Sequence, residues 1–399
     1  MINFTLSETQ QAARDYAHQV ALEEMRPISL ECERTEKIPE SFFWNMQKRF
    51  WAGAAGQARQ QGQAAGEEER QENVLSILSQ EEMAWGDAAL STAIPGPGLA
   101  APPILSQGTP EQQMRFLAPY MDGQLHWGAL ALTEPGIGSD VAGMSTTAVL
   151  DGDEWVLNGH KHYITNGARA DLVVTFATID KSLGREGIRP FVVPKGTPGF
   201  TVGRIEEKMG LRASQTAELI FENCHIPKDN LLSGRERSEK SKKAGFKAAM
   251  GTLDATRPMV GALAVGIARA AYETTSEWVC EELPKGYLPH KRREIEAELE
   301  ELRQEIEMAR FLVWRAAWMA DRRIPNSKEA SMCKAYAGGL VMKATAAGVR
   351  ISAPGENSER KQFLAKWFRD AKVFDIFEGT AQIQRLVIAR RLFPEVDIP

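Results

Sequence analysis

The sequence predicts an α+β fold, mostly helical, with helices at both ends of the chain and a unit of short strands between them. Three observations carry that expectation. Apolar residues recur at helical spacing over 1–126 and again over 235–399, whereas 127–234 holds short apolar and β-branched runs punctuated by Gly and Pro. The resulting order, helices then strands then helices, lacks the βαβ alternation of a doubly wound nucleotide fold. Finally, 399 residues at 43% hydrophobic and 25% charged suit two or three packed units, and no apolar run reaches the ~18 residues of a membrane span. The expected organisation is an N-terminal helical domain (1–126), a middle β domain (127–234) and a C-terminal helical bundle domain (235–399).

Taken in order, Ser7-Glu-Thr-Gln10 has the capping-box form, and Ala13, Tyr16, Ala17, Val20 and Ala21 then mark one face of a helix. A second helix is expected from Pro39 to about Phe50. Residues 52–72 are almost devoid of large apolar side chains and read as a mobile loop or a solvated excursion. The helical pattern returns at Val74–Trp85, and after a Pro-rich link (Pro95–Pro103) Thr109-Pro-Glu-Gln112 caps another helix. In the β unit, Asn158-Gly159 between two strand-like runs gives a strong hairpin signal. Further strands are expected at Leu172–Ile179, Pro190–Pro194, Phe200–Val202 and Ala217–Ile226. Beyond the charged stretch Arg235–Lys247, the steps Ile295, Leu299, Leu302, Ile306, Ala309, Val313, Ala316 and Ala320 alternate fours and threes as in helix-bundle packing. Two more helices are expected at 327–350 and 362–393.

Charge and cysteine content narrow the function classes. Lys plus Arg number 48 against 53 Asp plus Glu, a net charge of −5 with no long basic block, so a phosphate backbone would find little to neutralise it. Nucleic acid is therefore not an expected partner. Cys32, Cys224, Cys280 and Cys333 lie far apart, with no C-x-x-C pair and no His at ligand spacing, so no metal site is expected and the thiols read as reduced. The N-terminus has neither a basic segment nor an apolar core of signal-peptide length, which sets the expected localisation as cytoplasmic, with no membrane partner.

No G-x-G-x-x-G, Walker A, H-E-x-x-H or G-x-S-x-G pattern is present. Three segments remain as places for chemistry. In Thr133-Glu-Pro-Gly-Ile-Gly-Ser-Asp140, two glycines let backbone approach a ligand and two hydroxyls offer polar contacts, although a plain tight turn reads equally well. Tyr163-Ile-Thr165 sets an aromatic ring beside a hydroxyl, which is also what any alternating strand does. In Phe377-Glu378-Gly379-Thr380 an acid follows an apolar run, where desolvation would raise its pKa and suit it to act as a general base. A solvated helix end is the bland alternative there.

Taken together these segments resemble the acyl-CoA dehydrogenase family over almost the full length. The blocks LTEPGIGSDVAG (132–143), NGHKHYITNG (158–167), KMGLRASQTAELIFENCHIP (208–227), LDATRPMVGALAVGIARAA (253–271) and RDAKVFDIFEGTAQIQR (369–385) match that family's signatures in the same order. The resemblance implies an N-terminal helical domain, a middle β domain and a C-terminal four-helix bundle, and FAD as cofactor. It implies that Leu132, Thr133, Gly138 and Ser139 line the FAD, with Ser139 also near the substrate. Tyr163, Ile164 and Thr165 would lie against the flavin ring, and Thr380 and Gln382 would contact it. Asp254, Arg257 and Gly379 would contact an acyl-CoA substrate, and Glu378 would be the base that removes the α-proton while the β-carbon delivers hydride to flavin N5. An electron-transferring flavoprotein would take the electrons, in a homo- or hetero-tetramer. A catalytically silent scaffold subunit, or an oxidase or reductase using the same residues, is the alternative reading.

The match is broken in places. An R-x-x-F-G motif normally follows the helix ending near residue 275, but the chain reads EWVCEELPKGYLPHKRRE; a Q-x-x-G-G-x-G segment is replaced by VRISAPGENSERKQ. In the family both serve the adenosine and pyrophosphate of FAD in the neighbouring subunit, which implies either that this chain keeps a catalytic half-site and pairs with a related chain that completes the other half, or that it has diverged and holds FAD by other contacts. Residues 52–72 replace a P-x-x-x-G-G loop beside the acyl cavity. Arg235–Lys247 holds six basic and two acidic residues, a local +4, and reads as a solvated loop or as a contact for CoA phosphates.

Overall fold

Both capping boxes read from the sequence form, and they set the first helices. The computed structural model describes residues 2, 4–49, 71–232, 244–283, 288–354, 356 and 358–395, with the side chains of 244–253 excluded. The 52–72 stretch therefore lies almost wholly outside the described residues, as does most of Arg235–Lys247. Ser7 caps α1 (Glu8–Val20) with both bonds of the box made, and the helix continues through a π-turn at Ala21–Met25 into α2 (Arg26–Thr35). Helix α3 covers 40–49 and α4 runs Glu72–Ala93, with extended backbone at Asp87 marking a kink. The Pro-rich link is not a plain connection. Ala101 opens a helix, α5 (Ala101–Gln107), because proline is tolerated in a first turn whose N–H groups have no intrahelical acceptor. Thr109 then caps α6 (Pro110–Leu117) with a second complete box.

The middle of the chain forms one seven-stranded sheet in the order β1-β4-β2-β3-β7-β6, with β5 on β4. Its strands are β1 (Gly128–Ala131), β2 (Thr147–Asp151), β3 (Glu154–Thr165), β4 (Leu172–Thr178), β5 (Ile188–Pro194), β6 (Phe200–Ile205) and β7 (Thr216–Pro227). The hairpin expected at Asn158-Gly159 is not there. β3 runs straight through those residues, and the turn lies earlier, at Gly152-Asp153, where Asp151 pairs with Glu154. Asn158-Gly159 instead makes an irregularity in the β3–β7 ladder, and a Cβ on Gly159 would come within 2.7 Å of the Thr146 backbone. The glycine is thus required by close approach of two chain segments, not by a turn.

Helices α7 (Ala244–Glu281), α8 (Pro289–Asp321), α9 (Ser327–Ser352) and α10 (Glu359–Ala371) form the C-terminal bundle. Along α8 the positions from Ile295 to Ala316 are buried, as its stepping requires, and Ala320 near its end is half-buried. The single helix expected over 362–393 is in fact two. α10 ends at Ala371, a 3-10 turn covers Lys372–Asp375, and α11 (Ala381–Leu392) begins only after Thr380 caps it. Glu378 (φ 55°) and Gly379 (φ 91°) are left-handed, a conformation no helix interior can hold, so the chain breaks where the candidate base lies.

The helices of both ends share one core, in which α4 packs on α7 and α8 and α2 meets α10. The strand unit has its own core around Leu157, Val173, Phe191, Leu219 and Phe221. The two bodies are tied by buried polar contacts. Asn166 Nδ2 donates to the Thr92 carbonyl (2.9 Å), and the Leu211 amide donates to Asp370 Oδ1 (2.6 Å). Asp370 also belongs to a fully buried group with Lys366 (2.6 Å), which in turn pairs with Asp87 (3.0 Å) at the α4 kink.

Candidate active site

The structure gathers the sequence-predicted residues into two groups. The first joins the 132–140 loop to β3. The His162 amide donates to the Thr133 carbonyl (2.9 Å), and Lys161 Nζ donates to the Leu132 carbonyl (3.1 Å). Beneath the loop, Glu134 accepts from Lys161 Nζ (2.9 Å), the Ser145 amide (2.7 Å), the Thr146 amide (2.9 Å) and the Ser145 hydroxyl. Both members of the pair are buried. Burial pushes Glu134 up, but the Lys161 charge and these hydrogen bonds outweigh it and hold the carboxyl at about 2. Burial pulls Lys161 down to about 8 against the attraction of Glu134, so the pair is ionised at neutral pH. Neither member was singled out from the sequence, and a Glu–Pro opening a glycine loop gives no sign of such an anchor.

This anchor leaves the loop's outer surface free. A Cβ built on Gly136 or Gly138 would meet nothing within 4 Å, and Ser139 is exposed. Nearby, a register shift in the β3–β7 ladder between Lys161 and Ile164 turns Tyr163 outward, with left-handed backbone (φ 59°) and 63% exposure. An exposed aromatic held in a costly conformation is a site feature in search of a ligand. Thr165 is half-buried on the same strand end. Ile164, by contrast, points its side chain into the sheet core, so it can meet a flavin only through its backbone. The set of an open glycine loop, hydroxyls at Thr133, Ser139 and Thr165 and a presented ring fits a planar, hydrogen-bonding heterocycle such as isoalloxazine.

The second group surrounds Glu378. Thr256, on α7, donates from Oγ1 to Glu378 Oε2 (2.7 Å). Burial raises the Glu378 pKa, against the lowering effects of the Thr256 bond and of the Arg257 and Lys334 cations. Arg257 is buried; it bonds Asp254 and reaches Ser331 Oγ (3.5 Å), while its Nε has no partner among the described residues. Arg257 is thus packed beside the base with one guanidinium nitrogen unpaired among the described residues, and its charge acts on Glu378. Asp254, its partner, is partly exposed. Gly379 takes the turn past the base, and a Cβ there would lie 2.5 Å from Gln384 Nε2. Thr380 spends its hydroxyl capping α11, accepting from the Ile383 amide (3.3 Å), and Gln382 is exposed on the first turn of that helix. Sequence reading missed Thr256, Lys334 and Gln384. A lysine and a glutamine at buried phases of α9 and α11 were the available signals.

The chain matches the acyl-CoA dehydrogenase N-terminal domain over 7–124, the middle domain over 129–224 and the C-terminal domain over 243–393. It is 34% identical to the short-chain specific acyl-CoA dehydrogenase of Clostridium acetobutylicum, covering 98% of this chain and 100% of that one. Among solved structures, butyryl-CoA dehydrogenase from Megasphaera elsdenii is 34% identical with a TM-score of 0.86, covering 98% of this chain and 100% of that one. A chain in the structure of the electron transferring flavoprotein of Acidaminococcus fermentans is 36% identical with a TM-score of 0.85, covering 98% and 99%. The chain belongs to the acyl-CoA dehydrogenase family of flavoprotein oxidoreductases. Among the described residues, no group of His, Cys, Asp and Glu could hold a metal ion, and no helix is long and apolar enough to cross a membrane.

Proposed function

We propose that this chain oxidises an acyl-CoA thioester to its 2,3-enoyl-CoA, with Glu378 as the base and FAD as cofactor. The observation that carries the reading is Glu378 itself: a half-buried carboxyl on a left-handed turn, held by Thr256 with two cations nearby. Glu378 takes the α-proton as H⁺, breaking the α C–H bond, while the β-carbon loses a hydride and the C=C bond forms. A raised pKa makes the carboxylate a stronger base. When bound, the flavin supplies the acceptor for that hydride. Leu132, Thr133, Gly138, Ser139, Tyr163 and Thr165 would hold the ring, the backbone of Ile164 would border it, and Thr380 and Gln382 would meet it from α11. Ser139, Asp254 and Gly379 would border the substrate.

The names of the relatives support a short acyl chain, and the Acidaminococcus match supports an electron-transferring flavoprotein as the partner. The missing R-x-x-F-G and Q-x-x-G-G-x-G segments support a tetramer shared with a related chain. The test is to purify the chain expressed alone and mix it anaerobically with butyryl-CoA. The reading expects flavin bound through the residues above to bleach on mixing, with weak retention until a related chain is co-expressed. Stoichiometric FAD in a homotetramer would remove the shared-tetramer element. Flavin that is present in the co-expressed complex and bleaches with no acyl-CoA, short or long, would remove the dehydrogenase reading.

A further inference from the structure

Lys334 has entered so far only as one of two cations near Glu378, yet its surroundings are those of a working group. It sits on α9 with its ammonium buried, and among the described residues no carboxylate lies within ion-pair distance of it. A buried ammonium is costly unless something compensates for the lost water. Here the compensation is a single carbonyl: Nζ donates to the oxygen of Gly379 at 2.7 Å. Gln384 Nε2 donates to the same carbonyl (3.0 Å) and to that of Glu378 (3.2 Å).

These donors close on a strained point of the site. Glu378 is a non-glycine residue at φ 55°, a left-handed conformation that L side chains adopt at a cost. Two buried donors on the carbonyls of residues 378 and 379 hold the turn in that state. The charged groups facing the base are Arg257, with its partner Asp254, from α7 and Lys334 from α9; Asp375, from the turn before the base, acts on Lys334. Of the two cations, Arg257 is already matched to Asp254, whereas Lys334 contacts only carbonyl oxygen.

Resting on the reading of Glu378 as base, we propose that Lys334 is a positioning residue for it: its ammonium clamps the Glu378-Gly379 turn and sets a positive charge beside the carboxyl. Burial pulls Lys334 down to about 8, with Asp375 and Glu378 opposing, so the clamp keeps its charge at neutral pH and weakens as the solution becomes alkaline.

Two variants separate the two parts of this role. Lys334→Gln keeps a donor and drops the charge; Lys334→Met removes both. The carboxyl stretch of Glu378 is titrated by infrared difference spectroscopy on the flavin-loaded protein, its band identified by its loss in Glu378→Gln. The pH profile of kcat/KM with butyryl-CoA is measured in parallel. Both variants are expected to move the Glu378 midpoint up by about one unit, as loss of a nearby opposite charge does. The plateau rate should hold in Lys334→Gln and fall about tenfold in Lys334→Met as the turn relaxes. If the midpoint stays at its wild-type value in variants with wild-type circular dichroism, Lys334 is a core lysine only and the proposal is wrong. Should Lys334→Met fail to fold, the midpoint in Lys334→Gln decides alone. Unchanged turnover in Glu378→Gln would instead overturn the base assignment, and with it this inference.

Discussion

Replacing Glu378 with Gln is expected to leave the protein folded and able to bind flavin and acyl-CoA, but to slow flavin reduction by about 10²–10⁴-fold, the usual contribution of a positioned general base. The amide keeps the shape and can still accept the Thr256 hydrogen bond, so the turn at 378–379 has no reason to move. Only the proton acceptor is lost. The stability change should be small and of the opposite sign. Burial raises the folded pKa of Glu378 above its ordinary value of 4.5, so ionising it as pH climbs past that value subtracts from stability. Gln carries no such penalty, and the variant should be at least as stable as wild type at neutral pH in a urea titration. Reduction by the wild type should rise with pH through the raised value of Glu378, and the acid limb of that profile should vanish in the variant.

The second large effect is on the 132–140 loop. Glu134→Gln leaves the Lys161 ammonium buried without its counter-charge, and breaking a buried pair from one side costs about 3–5 kcal/mol. The loss should appear as a lower urea midpoint at neutral pH, with weaker flavin retention because Lys161 also ties the Leu132 carbonyl. Pairing Glu134→Gln with Lys161→Met should recover most of the stability, since no unmatched charge then remains. The pH dependence follows from the held value of about 2 at Glu134. A carboxyl depressed on folding adds stability that is complete above about 4.5 and is lost as pH falls toward 2, and Glu134→Gln should flatten that acid slope. Lys161 has the other sign. Its folded value of about 8 lies below the ordinary 10.5, so stability gains between those values as pH rises, and the alkaline side does not mirror the acid one.

How much of this was legible in the sequence depended on whether a signal was local. The Ser7 and Thr109 boxes and the α8 stepping are decided within a few residues of chain, and the structure repeats them. The Asn158-Gly159 signal is local too, but the same pair that suits a hairpin also suits a strand pressed against Thr146, and the approach of that segment is a tertiary fact. The break at 376–380 was hidden because apolar residues continue on both sides of it, Val373 to Phe377 before and Ile383 to Ile388 after, so periodicity alone joins two helices. Glu378 was readable as an acid next to an apolar run, and its family resemblance named its role. Its neighbours were not readable, because Thr256, Lys334 and Gln384 come from three helices that only the packing of α7, α9 and α11 brings together. For Arg257 the resemblance implied a contact with substrate, and only the packing shows the side chain buried against Asp254 and Ser331 near Glu378.

The most direct measurement is exchange of the α-hydrogens of butyryl-CoA with deuterated water, followed by mass spectrometry on the flavin-loaded protein under conditions that prevent net turnover. If Glu378 removes the α-proton, wild type incorporates deuterium at the α-carbon and Glu378→Gln does not. Equal incorporation by a folded Glu378→Gln variant would contradict the account.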